Sequence, residues 1–254
     1  MTTVTLLTKI YNASQLKQID KDLKRSFEGL DVEAEILGMV ANRWVQVSLS
    51  GQDEAIAANY VAEKIGFCPV SLENVKQFST LTGYITNLEK STEELSVDVG
   101  VFQPKIIHAT VPLRDLQAQL VDGRKIALRK MSELFGFCEN LPISAKVVQV
   151  NVEESRIEAE LSTSQVERYE VWQESLLDRL LVVGSSLYGV KVTLEHASLD
   201  RDVISVEPLG MFEHALVCKL GTDAAGLIRQ LGRNLRNAKF TVFNPKRLRQ
   251  FLEA

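Results

Sequence analysis

The chain has 254 residues, 45% of them apolar and 24% charged, and a formal net charge of −4. That is ample material for buried cores, the length suggests two or three domains, and the acidic balance excludes a protein that coats nucleic acid over its whole surface. The charge is uneven: residues 1–75 carry 7 basic and 10 acidic side chains, residues 76–165 carry 10 and 12, and residues 166–254 carry 12 and 11.

Residues 1–70 read β-α-β-β-α. VTLLTKI is a strand, Leu16, Ile19, Leu23 and Phe27 recur at helical spacing, and VEAEILGMV and WVQVSLS alternate as two strands joined by Ala41-Asn42-Arg43. A second helix through Ala55, Ile56, Asn59, Tyr60 and Glu63 stops at Gly66, with Pro69 beyond. This pattern predicts a ferredoxin-like α/β module. SLENVKQFST then forms a polar connector. Over residues 76–163 come strands TLTGYITNL, ELSVDVGVF and IIHATVPL, a helical insert KIALRKMSELFGF, and a hairpin of PISAKVVQVNV with RIEAELS around Glu153-Glu154-Ser155. Five short strands with a helix between the third and fourth predict an OB-type barrel.

Residues 164–254 predict a third module, α/β with an antiparallel sheet. Ser164 to Glu167 gives a capping-box pattern, and Val166, Tyr169, Leu176, Leu180 and Val183 give one helix with an apolar face. Strands VKVTLEHA, VISVEPL and EHALVCKLG follow, then a helix from about Asp223, strand KFTVF, and a last helix capped by Asn244 and entered at Pro245. The fold class is α+β multidomain. GFC occurs at 66–68 and 136–138 without a stronger internal repeat.

In the middle module GYI, SVDVGV, ATVPLRDL and AKVVQVNVEESRIEAELS, in that order, resemble the S1 version of the OB fold. The resemblance implies a binding face on strand two (Ser96, Asp98, Gly100, Phe102) and strand three, with Tyr84, His108 and Lys146 beside it and base stacking by Tyr84, Phe102 or His108. Val97 stands where that pattern usually places an aromatic, and the stacking it would have supplied is a main source of single-strand affinity. The run EHALVCKLGTDAAGLI also resembles the signature of an archaeal protein family of unknown function, whose layout the whole chain follows. It implies an archaeal source and a cytoplasmic setting, and no activity.

From Arg229 to Ala254 stand seven basic residues against Glu253 alone. Arg229, Arg233 and Arg236, spaced by four and three, share a helix face apart from the stripe of Leu227, Ile228, Leu231 and Leu235. With Lys239, Lys246 and Arg247 they form a candidate phosphate-contacting surface. The preceding LGTDAAG lacks the residues of a P-loop and reads as a turn capped by Thr222 or Asp223.

Glu195-His196, Asp200, Asp202, Glu207 and Glu213-His214 hold metal-ligand types, yet no HxH, HExxH or CxxC spacing joins them, so no metal is assigned. Cys218 lies in an apolar strand as a buried structural thiol, and no nucleophile–base set is present, so neither a catalytic residue nor a cofactor is assigned. Cys68, Cys138 and Cys218 are odd in number and far apart, which signals no disulfide framework. There is no signal-peptide order at the N-terminus, and the most apolar run, LLDRLLVVG, is broken by Asp178 and Arg179. The expectation is a cytoplasmic, non-enzymatic nucleic-acid-associated protein with no membrane contact, directed to RNA, a ribonucleoprotein or a polymerase assembly. The alternative is a protein-interaction module whose basic C-terminal face meets an acidic protein.

Overall fold

The computed structural model describes residues 1–253. Alternating apolar residues form β1 (Thr2–Lys9), β2 (Val32–Val40) and β3 (Trp44–Gly51), an antiparallel sheet in the order β1-β3-β2. Helices α1 (Ala13–Ser26) and α2 (Glu54–Lys64) cover one face of it. A capping box starts α1: the Asn12 side chain accepts from the Ser14 and Gln15 amides, and Gln15 accepts from Asn12 N, which satisfies donors the helix itself leaves open. After α2 the chain returns beside β1, with Leu7 N donating to Gly66 O and Cys68 N to Thr5 O, both at 2.9 Å. That segment occupies the fourth-strand place of a ferredoxin-like sheet.

The barrel follows: β4 (Val70–Ser71), β5 (Thr80–Thr86), β6 (Glu94–Gln103), β7 (Ile107–Pro112), α3 (Leu113–Leu120), α4 (Leu128–Phe135), β8 (Pro142–Asn151) and β9 (Arg156–Leu161). The strands run β6-β5-β8-β9-β7, and β6 pairs with β7 to close the barrel; β7 and β9 are parallel. This is the OB-type arrangement expected from the strand pattern. LRDLQAQL adds a helix, α3, that the strand reading of IIHATVPL did not foresee; its Leu116 is fully buried against the barrel.

The last third comprises α5 (Thr163–Glu174), β10 (Arg179–Val183), α6 (Leu187–His196), β11 (Val203–Pro208), β12 (Glu213–Cys218), α7 (Ala224–Asn234), β13 (Lys239–Phe243) and α8 (Pro245–Glu253). Three expectations need correction. The cap of α5 is Ser162, whose hydroxyl accepts from Gln165 N, two residues before the expected Ser164. The helix does not run on to Val183: it ends at Glu174, Leu176 takes φ +54, and Arg179–Val183 is a central strand. Both faces of that strand are covered, so it lacks the alternation that marks a half-buried one. VKVTLEHA is not a strand but most of α6; its β-branched residues favour extended chain in isolation, yet Val190, Thr193 and Leu194 are buried at helical spacing.

The C-terminal sheet has the order β11-β12-β10-β13 and the chain path β-α-β-β-α-β. This is the ferredoxin-like order again, so the two ends of the molecule repeat one topology. One face of the C-terminal sheet (Leu180, Val182, Leu216, Cys218) packs on α6 and α7, while Leu181, Val183, Ala215 and Phe243 join the barrel's own core together with Tyr169, Trp172 and Leu248. Phe212, in the turn before β12, is buried in the core of the N-terminal module.

Candidate nucleic-acid interface

The barrel face expected to hold bases is closed. Tyr84 on β5 is only 2% exposed, and its ring meets Trp44 of β3 edge-on at 5.4 Å between centroids. Phe102, at the end of β6, is half-buried in the same cluster with Cys68 and Leu7. Lys9 crosses from β1 into this seam. Its ammonium lies 2.6 Å from Asp98 Oδ2 and 4.8 Å from the Trp44 ring centroid, with both charged side chains nearly inaccessible. Asp98 also accepts from Gly100 N and from Asn42 Nδ2, each at 3.1 Å. Burial alone would raise this carboxyl, but the Lys9 charge and these donors outweigh it and hold Asp98 below the usual carboxylate range. Gly100 is glycine for a local reason: it sits at φ +78, and an added Cβ would lie 2.5 Å from Cys68 Sγ.

Tyr84 and Phe102 are therefore corrected from base-stacking to interdomain residues. His108 on β7 also belongs to the seam's surroundings: its Nε2 is buried without a partner, and burial lowers its pKa despite the Asp98 charge. Lys146 on β8 is half-exposed, but its ammonium pairs with Glu160 Oε1 at 3.0 Å across the β8–β9 ladder.

A second polar cluster joins all three modules. The Tyr11 hydroxyl donates to Glu213 Oε1 at 2.5 Å, Arg43 donates to Asn140 Oδ1 at 3.1 Å, and the Arg43 guanidinium lies 5.4 Å from the Tyr11 ring centroid. Glu213 is fully buried. Burial drives its pKa up to about 7, against the opposing effects of Tyr11, Phe212 N, Tyr84 and Lys9. Burial likewise raises the Tyr11 phenol, which stays a donor. Lys9, Tyr11, Arg43, Trp44 and Asn140 were not among the expected site residues. His214 is buried, with Nε2 3.0 Å from the Ser185 carbonyl.

The basic residues do not share one surface. Arg229 and Arg233 are exposed on α7; the helix ends at Asn234, so Arg236 lies beyond it, with Nε 3.4 Å from Arg233 O, and Lys239 opens the edge strand β13. None of these four has a carboxylate within 4.0 Å among the described residues. Asp223 caps α7 by accepting from Ala225 N at 3.1 Å, as the turn reading of LGTDAAG expected. Lys246 and Arg247 belong to α8, whose Leu248 packs on the opposite face of the sheet, and Arg247 reaches Glu133 at 3.5 Å. The expected single cationic surface is thus corrected: Arg229, Arg233 and Arg236 stand on and just after α7, Lys239 shares the barrel-facing side of β13 with Phe243, and Lys246 and Arg247 stand on α8. Among the described residues no helix is long and apolar enough to cross a membrane.

The paired ferredoxin-like modules around an OB-type barrel account for three consecutive matches: the DUF2110 N-terminal domain over residues 3–69, the DUF2110 central domain over 75–173 and the DUF2110 C-terminal domain over 177–243. The chain belongs to the DUF2110 family. No curated protein matches this family member. Among solved structures it is similar to an uncharacterised protein from Methanocaldococcus jannaschii, at 13% identity over 35% of this chain and 95% of the other, with a TM-score of 0.25. It is also similar to the intact alpha subunit of aIF2 from Pyrococcus abyssi, at 9% identity over 66% and 97% of the two chains, with a TM-score of 0.27. A further match is to a chain in the a/eIF2alpha–aDim2p–rRNA complex from Pyrococcus horikoshii, at 9% identity over 49% and 64%, with a TM-score of 0.26.

Proposed function

We propose that this protein is a non-enzymatic, nucleic-acid-associated protein that holds RNA, or the RNA of a ribonucleoprotein or polymerase assembly, by its phosphates. The observation that carries the reading is the group Arg229, Arg233 and Arg236: three exposed cations on and just after α7, free of carboxylate partners among the described residues, in a protein of net charge −4. Guanidinium groups one helical turn apart suit successive phosphates. Because Tyr84 and Phe102 are turned inward, the contact is to the backbone rather than to bases, which gives affinity with little sequence preference. Neutralising three phosphates of a single strand corresponds to a slope of about −2 in log affinity against log salt.

The test is anisotropy of a labelled single-stranded RNA titrated with the full chain over a salt series. Charge reversal of Arg229, Arg233 and Arg236 to Glu should lower affinity at least ten-fold and flatten the salt slope. Absence of binding at low salt, or indifference to the reversal, overturns the reading. A second reading, docking to an acidic protein, draws on the same three cations and on the barrel's use of its open face to seat a polypeptide, its own N-terminal module. Salt-sensitive capture of an acidic protein that survives nuclease treatment would favour it.

A further inference from the structure

The polar connector ahead of the barrel contains one aromatic residue, Phe78, within Lys76-Gln77-Phe78-Ser79. These four residues form a turn: the Ser79 amide and hydroxyl both donate to the Lys76 carbonyl, at 3.2 and 2.6 Å. Phe78 takes the third position at φ +66, where such a turn favours glycine because a side chain crowds the backbone. Of the described residues other than glycine at positive φ, it is the only aromatic one. It is also 67% exposed, and no other phenylalanine among the described residues is mainly exposed.

The turn is fastened to the barrel. Phe78 N donates to Val147 O at 2.8 Å, Val147 N donates to Ser79 O at 2.9 Å, and Gln77 Nε2 donates to Val148 O at 2.9 Å. Its partner is the bulge of β8, where the register against β9 steps from Val147 to Gln149 and leaves Val148 as the extra residue. A backbone conformation that disfavours phenylalanine is thus held in place, and it leaves an apolar ring in water. Neither effect stabilises the fold, and strained residues that surrounding bonds over-determine concentrate at binding sites.

The surroundings of the ring select its ligand. Lys76, Gln77 and Thr80, its neighbours in the chain, are polar and exposed, and Val148 is the only exposed apolar residue of β8. That is not the contiguous apolar patch of a protein interface. Lys76 has no carboxylate within 4.0 Å among the described residues. A fixed ring beside a free ammonium offers a nucleotide of a single strand a face for its base and a charge for its phosphate. Phe78 also stands apart from the covered barrel face, outside the cluster of Trp44, Tyr84 and Phe102. We infer that Phe78 stacks a base of single-stranded RNA, with Lys76 on an adjoining phosphate. The inference rests on the RNA reading above and adds to its phosphate contacts a base contact tolerant of sequence, since every base has a ring face.

Anisotropy titration of the full chain with a labelled oligouridylate, and with a strand of equal length lacking bases, tests it over a salt series. Phe78→Gly should weaken binding of the oligouridylate by about five-fold or more, the loss expected for one stacked base. Its salt slope should stay that of the wild type, because no phosphate contact is removed, whereas Lys76→Gln should reduce the slope by about 0.7, one phosphate's share. The base-free strand should bind the wild type and Phe78→Gly alike, and Phe78→Trp should bind the oligouridylate at least as tightly as the wild type. Glycine accepts positive φ freely, so the thermal midpoint of Phe78→Gly should equal or exceed that of the wild type. A clearly lower midpoint would show that the ring serves the fold, and overturns the inference. Unchanged affinity of Phe78→Gly for the oligouridylate also overturns it, and loss in that variant of a nuclease-resistant protein partner would then assign the ring to a protein surface. RNA binding that is lost on charge reversal of the three arginines but indifferent to Phe78→Gly keeps the RNA reading and removes the stacking alone. Absence of RNA binding by the wild type at low salt removes both.

Discussion

The N-terminal module meets the barrel through Lys9, Asn42, Arg43 and Trp44, whereas the C-terminal module meets it through Leu181, Val183, Ala215 and Phe243. Both are ferredoxin-like sheets with helices on the outer face, so topology did not decide how each would dock. The residues on the open sheet face did. An apolar face merges with the barrel's core and contributes in proportion to the area it buries. A charged face contributes little net free energy, because desolvating Lys9 and Asp98 offsets most of their attraction. It does fix one register, since each buried group has a defined partner.

Removing one buried charge should separate the two kinds of docking most clearly. Lys9→Met leaves Asp98 unpaired and should destabilise by about 3–5 kcal/mol. The two tryptophans report the difference: Trp44 lies in the polar seam and Trp172 in the shared apolar core. In single-tryptophan versions, denaturant titration of Lys9→Met should release Trp44 well before Trp172. Phe243→Ala, of similar cost, should shift both reporters together or Trp172 first. Coincident early release of both in Lys9→Met would show that the modules do not dock independently.

The next effect concerns pH. The Glu213 carboxyl has an ordinary value of 4.5 and is raised to about 7 in the folded protein. The folded state therefore keeps a proton that the unfolded chain gives up, so the stabilisation is complete below about 4.5 and is lost as pH rises through 7. The span corresponds to roughly 3 kcal/mol. Urea midpoints of the wild type should fall between pH 5 and pH 8, and Glu213→Gln should reduce that fall; an unchanged slope would place the proton elsewhere.

Smaller effects should distinguish caps and surface pairs. Asp223→Ala removes the bond to Ala225 N and should destabilise by about 1 kcal/mol, with faster amide exchange confined to the first turn of α7. Lys146→Ala, which breaks a half-exposed pair with Glu160, should cost about 0.2–1 kcal/mol in thermal unfolding.

Much of the fold could be read locally. Alternation located β1, β2, β3 and the β8–β9 hairpin, and turn chemistry located the Asp223 and Asn244 caps. The failures share a cause. RLLVV looked helical and VKVTLEHA looked extended because burial on two faces, or on one helical stripe, outweighs the intrinsic preference of the residues. The second ferredoxin-like module escaped notice for the same reason, since its first strand and first helix were exchanged in the reading. For the candidate sites, charge spacing indicated Arg229 and Arg233 but placed Arg236 on a helix that ends before it. Gly184-Ser185-Ser186 carried no signal of its contact with Tyr11 and Gln15, which come from a distant part of the chain.

By itself the sequence determined the three-part organisation, the OB-type barrel and the concentration of basic residues near the C-terminus, since each follows from periodicity, turns or composition over short windows. Only the tertiary structure decided that the barrel's ligand face would be filled by Lys9 and Trp44, and that the arginines would divide between two faces of one sheet. It also decided that two equivalent turns, Tyr11-Asn12 and Gly184 to Ser186, would meet. Those outcomes depend on contacts between residues as far apart as Lys9 and Asp98 or Gln15 and Gly184, which no local pattern encodes.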